Sequence, residues 1–432
     1  MTSAHHKRVA IIGAGLSGLS CASRLSTLGF EVRVFDKGRG PGGRTSTRRT
    51  AIADVEVGFD HGAQYFTVRD PELRDLVQEW EGLGVVSRWD GRVAVLGRDG
   101  KVDSYSDKTR FVGTPGMSAI CKHLADSQDV RCGVRVDRVE ASQSGAVLLD
   151  AHGDEQGEFD FVVVTAPPVQ TAALLGQASP KLAARAASVE MKPCWAVMLA
   201  LDSKLDVPYD GAFINEGPLS WIARTSSKPA RTSEPERWVL HGSASWSTAH
   251  LEDSAEQVTA LLLDAAFESM GVSGRAPLRA SAHRWRYALA DNPLDEGCLY
   301  DEATGIGVSG DWTHGNRVEG AILSGRAMAR RIAEAANLTW PAQHPDVRHR
   351  QRDLPLLLRA ARGLHRPGHR GRARPRLRRV LSPLDSACEP RRCRRPLRPS
   401  NSRAIAHHAL HSPGSSEELR IAAWGQVARV PA

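Results

Sequence analysis

Hydrophobic and polar positions change their period twice between residues 8 and 36. Residues 8–12 (RVAII) form a short apolar run ending in glycines, residues 16–28 carry apolar side chains at helical spacing, and residues 31–35 (EVRVF) return to a β-branched run that ends at Asp36. The pattern predicts strand, helix, strand. Residues 72–80 predict an amphipathic helix, residues 91–106, with glycine-punctuated alternation, a hairpin or meander, and residues 118–125 another helix. Strands are expected over 130–140, 146–151 and 159–165. The last contains Phe161-Val162-Val163-Val164, a continuous run of the kind buried on both faces of a parallel sheet. Residues 196–201, 212–215, 219–223 and 238–245 are strand-like, 254–269 helical and 283–288 extended, which predicts a β-rich unit with a covering helix. A final strand over 305–309 leads into Gly310-Asp311-Trp312 and a helix over 318–336.

The fold class that follows is α/β: a Rossmann-type domain with a GxGxxG βαβ unit, joined to a β-rich substrate domain of mixed sheet plus helices. The two domains interleave along the chain. Residues 1–88, 116–170 and 289–340 are expected to build the nucleotide-binding domain, and 89–115 and 171–288 the substrate domain.

Charge separates off the remainder. Residues 341–432 hold 20 Arg, no Lys and 6 acidic residues, a net +14 against +8 for the whole chain of 432, so residues 1–340 carry −6. The basic character therefore belongs to an Arg/Pro-rich tail, read as disordered or as the product of a frameshift in a GC-rich gene. The body gives no composition argument for nucleic-acid binding. No apolar run reaches the roughly 18 residues of a membrane span, so a cytoplasmic location without membrane insertion is expected. The seven cysteines lack C-x-x-C spacing, and the histidines His61, His241, His283 and His314 include no metal-ligand pair. Thiols and no metal are expected.

The chemistry sits in two glycine-rich turns. Gly13-Ala14-Gly15-Leu16-Ser17-Gly18 lies between the first strand and the first helix. Gly13 permits the tight turn, Gly15 the approach of a pyrophosphate to the helix N-terminus, and Gly18 close packing of helix on strand. Asp36 closes the second strand, where a carboxylate accepts hydrogen bonds from a ribose diol. Directly after it comes Gly38-Arg39-Gly40-Pro41-Gly42-Gly43-Arg44-Thr45-Ser46-Thr47 where a plain NAD fold would have a crossover helix. Such a turn suits a second set of phosphate contacts, with Arg44 bridging the pyrophosphate.

These motifs resemble the flavin amine oxidase and phytoene desaturase superfamily of FAD enzymes. The details are similar to its bacterial renalase-like branch: Phe35 to Arg44, Asp60-His61-Gly62-Ala63-Gln64-Tyr65-Phe66-Thr67, Pro193-Cys194-Trp195-Ala196, His283 to Ala288, and Gly310-Asp311-Trp312 with Gly320-Ala321 and Ser324-Gly325. The resemblance implies FAD as cofactor. It implies that Asp36 holds the adenosine ribose, Lys37, Gly43 and Arg44 the adenine end and pyrophosphate, and the Val136 backbone the adenine. Gln64 and Tyr65 would lie beside the isoalloxazine and Asp311 on the ribityl hydroxyls. The helix N-terminus at Val318 and Glu319 would face the pyrimidine carbonyl, where a free N–H and the positive helix end suit the charge of reduced flavin.

Of Trp195, Trp221, Trp246 and Trp285, the last is the candidate wall of a substrate pocket with Gln64 and Tyr65. The resemblance implies an oxidase that takes hydride from the 2- and 6-dihydro isomers of NAD(P), with O2 as acceptor, giving NAD(P)+ and H2O2. Such a donor needs no base, because hydride loss yields the aromatic cation directly. An amine oxidase, an oxidase or desaturase of a hydrophobic substrate, and a non-catalytic FAD- or NAD(P)-binding protein stay open. Against the amine oxidase stands the strand over 195–201, which has no Lys to hold a water at the flavin.

Overall fold

The computed structural model describes residues 7–340 apart from 53 and 98, and the backbone of residues 421–423 and 426–428. The reading of residues 341–432 as a disordered or out-of-frame tail lies outside the described residues, except that two short strands, Ile421–Ala423 and Gln426–Ala428, pair antiparallel.

A six-stranded sheet carries the nucleotide-binding turns. Its order is Leu299–Asp301, Ile306–Val308, Phe161–Val164, Arg8–Ile12, Glu31–Asp36, Asp129–Cys132, parallel throughout except for the first, edge strand. Side chains alternate between its faces with the two-residue period of a strand. Val9, Ile11, Val34 and Val163 pack on one face with Leu19 and Leu25 of the helix Leu16–Thr27 and Ile322 and Ile332 of the helix Val318–Ala335. Ala10, Ile12, Phe35, Val162 and Val164 face the other way. There they meet the three-stranded sheet Val136–Ala141, Ala146–Asp150, Glu155–Phe159 and the helices Pro168–Leu175 and Pro180–Ala187. Burial on both faces explains the unbroken apolar run at 161–164.

A seven-stranded sheet runs Arg279–Ala290, Met191–Leu201, Glu236–Gly242, Leu219–Arg224, Gly211–Ile214, Val93–Leu96, Val102–Tyr105. Val197, Leu199, Trp238 and Leu240 pack under the helix Ala255–Met270, which a Ser254/Gln257 capping box starts and Gly271 in the left-handed conformation stops. Met198, Ala200 and Val239 on the opposite face pack on Val57 and Phe59 of the hairpin Thr47–Ile52/Val55–Asp60.

Two expectations of local structure differ from what is observed, and further elements are unexpected. Residues 130–140 form two strands in separate sheets, because Gly133 turns the chain at φ +77° and donates its N–H to the Gly38 carbonyl. The strand expected over 238–245 ends at Gly242, where Ser243 caps the short helix Ala244–Ala249. The hairpin over 47–60 and the helices over 168–187 have no counterpart in the sequence reading.

Candidate active site

The two glycine turns close on each other. Gly42 donates its N–H to the Ala14 carbonyl, and Gly43, at φ +51°, packs against the Gly15 Cα. A Cβ on Gly18 would overlap the Gly13 carbonyl oxygen, whereas a Cβ on Gly15 would meet nothing within 4 Å. Gly18 is thus required by the frame, and Gly15 keeps open a space that the frame does not use. That space belongs to a groove of about 910 Å³, a volume suited to a cofactor.

Polar groups that face the groove are pre-set. The Asp36 carboxylate accepts the Ala14 N–H and the Gly38 N–H, each at 2.6 Å, which fixes its rotamer at the end of its strand. Arg44 pairs with Asp311 and donates Nη1 to the Ala288 carbonyl at 3.0 Å. The helices Leu16–Thr27 and Val318–Ala335 both begin at the groove without a side-chain cap on their first turns. Two positive helix ends therefore open on one cavity, the arrangement that receives anionic groups. A further glycine sets the spacing behind them: a Cβ on Gly325 would overlap the Ser17 carbonyl oxygen, so this position lets the two helices touch.

Of the residues singled out from the sequence, the groove brings together Gly13, Gly15, Asp36, Lys37, Gly43, Arg44, Val136, Trp285, Asp311 and Val318. Ala14 and Gly18 lie behind it as frame. Gln64, Tyr65 and Glu319 are not among its lining residues, and each has another engagement. Gln64 donates to the Asp60 carbonyl and accepts from Lys228 Nζ at 2.8 Å. The Tyr65 ring lies 5.4 Å from that of Trp221 and 6.1 Å from that of Trp89, with the Arg110 guanidinium above it; burial pushes its phenol up against the opposing Arg110 charge. One Glu319 oxygen accepts the backbone N–H groups of Arg69 and Asp70 at 2.6 and 2.8 Å. From the segment 60–67, Ala63 lines the groove instead.

Trp285 donates its indole N–H to the His61 carbonyl, and its ring lies 4.6 Å from His283 and 5.1 Å from His61. Burial pushes His61 down to about 3 and His283 to about 4, so both are neutral at physiological pH. Trp195 and Trp246 sit instead at His250, through the carbonyl and the ring respectively.

Two features escape the sequence reading. Lys228 is fully buried, with Nζ on the Gln64 carbonyl and side-chain oxygens and 3.8 Å from Asp60. Burial pushes this amine down to about 7. Nothing local marks it, because it lies in a loop far along the chain from Gln64 and outside the strand over 195–201. Arg317 lines the groove and, with Arg69, Asp70 and Glu319, an adjoining pocket of about 360 Å³; Arg69, Lys108 and Arg317 form a like-charged group that Glu319 partly offsets. Burial and then Arg69 lower the Arg317 pKa, and burial, Arg69 and Arg317 act likewise on Lys108.

A family model for the NAD(P)-binding Rossmann-like domain matches residues 11–80, and one for flavin containing amine oxidoreductase matches residues 94–333. The chain belongs to the flavin containing amine oxidoreductase family. Its cofactor is FAD. A zeta-carotene-forming phytoene desaturase of Myxococcus xanthus is 53% identical over 38 residues, 9% of this chain and 7% of the relative. Protoporphyrinogen oxidase 2 of Arabidopsis thaliana is 34% identical over 73 residues, 17% and 14% of the two chains. An L-amino-acid oxidase of Bothrops moojeni is 25% identical over 175 residues, 37% and 35%. The matches thus span about a third or less of these curated relatives. Among solved structures, a putative protoporphyrinogen oxidase from Exiguobacterium sp. 255-15 superposes at a TM-score of 0.61 with 13% identity, covering 77% of this chain and 99% of the other. A putrescine oxidase bound to putrescine gives 0.54 with 15% identity, covering 76% and 99%. These two likenesses establish the fold.

The groove fits FAD on its own chemistry: an open cradle at Gly15, two uncapped helix ends, a fixed ribose-type carboxylate, and an Arg44–Asp311 pair between them.

Proposed function

We propose that this family member is a renalase-like oxidase that converts 2- and 6-dihydro isomers of NAD(P) to NAD(P)+, with O2 reduced to H2O2. Dihydronicotinamide, O2 and one proton give the pyridinium and H2O2, so atoms and electrons balance. FAD, when bound, would supply the two-electron redox chemistry that links the donor to O2.

The observation that carries this reading is the cationic group of Arg69, Lys108 and Arg317, in which Arg317 lines the groove and Glu319 is the opposing carboxylate. These mutually repelling cations favour a phosphate-bearing substrate and disfavour an alkylammonium ion. Inside, Ala63, Trp285 and Ala288 offer an apolar wall, Asp311 is the nearby carboxylate and is paired with Arg44, and the imidazoles behind Trp285 are neutral. A planar donor that needs no base matches these surroundings. In this reading Asp36, Lys37, Gly43, Arg44 and Val136 hold the adenosine diphosphate half of FAD, and Asp311 the ribityl chain. The helix end at Val318 and Glu319 takes the pyrimidine edge. Gln64 acts from beneath through Lys228, and the units 89–115 and 171–288 form the substrate side.

An amine oxidase is the second reading, favoured by the buried Lys228, whose amine at about 7 can exchange a proton at physiological pH. Anaerobic titration of the purified flavoprotein separates the two. The 6-dihydro isomer of NADH is expected to bleach the flavin absorbance at stoichiometric addition, with colour and H2O2 returning on admission of air. Bleaching by putrescine or amino acids, and none by the isomers, would reverse the order.

A further inference from the structure

Below the hairpin Thr47–Ile52/Val55–Asp60 lies a second cavity, of about 180 Å³, that shares no lining residue with the FAD groove. Four cationic side chains line it, Arg49, Lys122, Arg231 and Arg237, against the carboxylates of Asp60 and Glu56. Asp60 is already committed. It accepts Arg231 Nη2 at 2.6 Å, Thr47 Oγ1 at 2.7 Å and the Met117 N–H at 2.9 Å, with Lys228 Nζ at 3.8 Å.

Arg237 is the unusual member. Its side chain is buried, 1% exposed, yet its Nε has no acceptor and the guanidinium makes no ion pair among the described residues; Nη2 reaches the Thr232 carbonyl. A buried guanidinium N–H without a partner is costly, and an anionic acceptor in the cavity would recover that cost. Arg49 and Lys122 stand exposed at the rim, and neither forms an ion pair among the described residues. Burial and the Arg231 charge lower the Arg237 pKa, and burial with Arg49 that of Lys122, so these cations repel one another. The eight-residue helix Ser118–Ala125 begins at the same place, with Ser118 and Ala119 in the wall.

We propose that this cavity binds a tetrahedral oxyanion, either free phosphate or the phosphate of a phosphomonoester, with Arg237 as its floor and Arg49 and Lys122 as its rim. The net charge of the lining, four cations against two carboxylates, matches a dianion. Glu56 in the lining opposes an anion, so the four cations must outweigh it. The site is separate from the cationic group at Arg317 and does not depend on which substrate is oxidised.

Equilibrium dialysis of the FAD-saturated holoenzyme against labelled inorganic phosphate, at constant ionic strength in chloride, tests it. Saturable binding of one phosphate per chain is expected. Arg49→Ala/Lys122→Ala, both exposed, should weaken it roughly tenfold or more with flavin content unchanged. Arg69→Ala/Lys108→Ala, in the cationic group with Arg317, should leave it within about twofold. Displacement of the label by ribose 5-phosphate and not by ribose assigns the site to phosphomonoesters, and no displacement by either assigns it to the free ion. Absence of saturable binding, or binding that survives Arg49→Ala/Lys122→Ala and is lost in Arg69→Ala/Lys108→Ala, overturns the proposal.

Discussion

The FAD groove and the buried cluster around Asp60 lie next to each other and handle charge in opposite ways. In the groove the polar groups are backbone N–H donors at two helix ends, one fixed carboxylate and one Arg–Asp pair, all facing a large cavity. Around Asp60, a carboxylate, Lys228 and Arg231 satisfy one another away from water, and burial alone would raise the Asp60 carboxyl. Arg231, Lys228 and the Met117 N–H outweigh that burial and hold it below the usual range. The groove keeps its bonding capacity for a ligand; the cluster spends nearly all of it on the fold. Substitutions in the first should cost cofactor, and in the second stability.

Gly18→Val gives the largest expected effect, because it attacks the frame of the groove. Its Cβ cannot fit beside the Gly13 carbonyl, so the turn must open. Protein purified from this variant should carry no FAD by its absorbance spectrum, and its unfolding midpoint should fall by several degrees. Gly15→Ala is the contrasting change: its Cβ meets no protein atom, so the apoprotein should keep wild-type stability while FAD binds at least about tenfold more weakly. Equal losses of stability in the two variants would erase the distinction between frame and ligand space.

Asp60→Ala comes next. Removing the carboxylate leaves Lys228 and Arg231 buried without a counter-charge, at a cost of about 3–5 kcal/mol in a denaturant titration. Asp311→Ala should cost under about 1 kcal/mol, since Arg44 is partly exposed, but should weaken FAD retention about tenfold or more. If Asp311→Ala destabilised the apoprotein as much as Asp60→Ala did, the groove pair would be structural after all.

The same contrast decides what was legible in the sequence. Gly13 to Gly18, Asp36 and Gly42-Gly43-Arg44 are local, and strand, turn and helix must bring them together whatever the rest of the chain does. Asp311 and Val318 are distant, but the last parallel strand lies in the same sheet as the first, with only Phe161–Val164 between them, so topology delivers them. The cluster is different: Asp60, Gln64, Lys228 and Arg231 meet because the hairpin Thr47–Ile52/Val55–Asp60 packs on the seven-stranded sheet, and no spacing announces that meeting. For the same reason Gln64 and Tyr65 could be placed in the right segment while the direction of their side chains could not. Gly133 shows the local limit, since the strand-like alternation over 130–140 gives no sign that one glycine hands the chain to another sheet.

Titration of Lys228 sharpens the comparison further. Burial lets the folded amine release its proton near 7, whereas in the unfolded chain it holds the proton to about 10.5. Between these values unfolding takes up a proton, so raising the pH opposes unfolding, and stability should rise with pH in that window. The difference in unfolding free energy between wild type and Lys228→Met should therefore grow in favour of wild type from pH 7 to 9, approaching about 1.4 kcal/mol per pH unit at most. A pH-independent difference would mean that Asp60 keeps the amine charged throughout.

Glu319→Gln is the smallest and the most discriminating change, because this residue sits on the boundary between the two regimes. Its helix opens on the groove, yet its carboxylate turns to the Arg69 and Asp70 N–H groups and so ties that helix end to the start of the helix Pro71–Gly82. The amide retains one acceptor oxygen but loses the charge, which should lower stability by about 1 kcal/mol. FAD affinity should stay within about twofold, since at the helix end the backbone is what meets the groove. The KM for a dinucleotide substrate should move more than kcat, because Arg69 in the cationic group depends on the same anchor. A loss of FAD larger than the loss of stability would transfer Glu319 from the frame to the cofactor site.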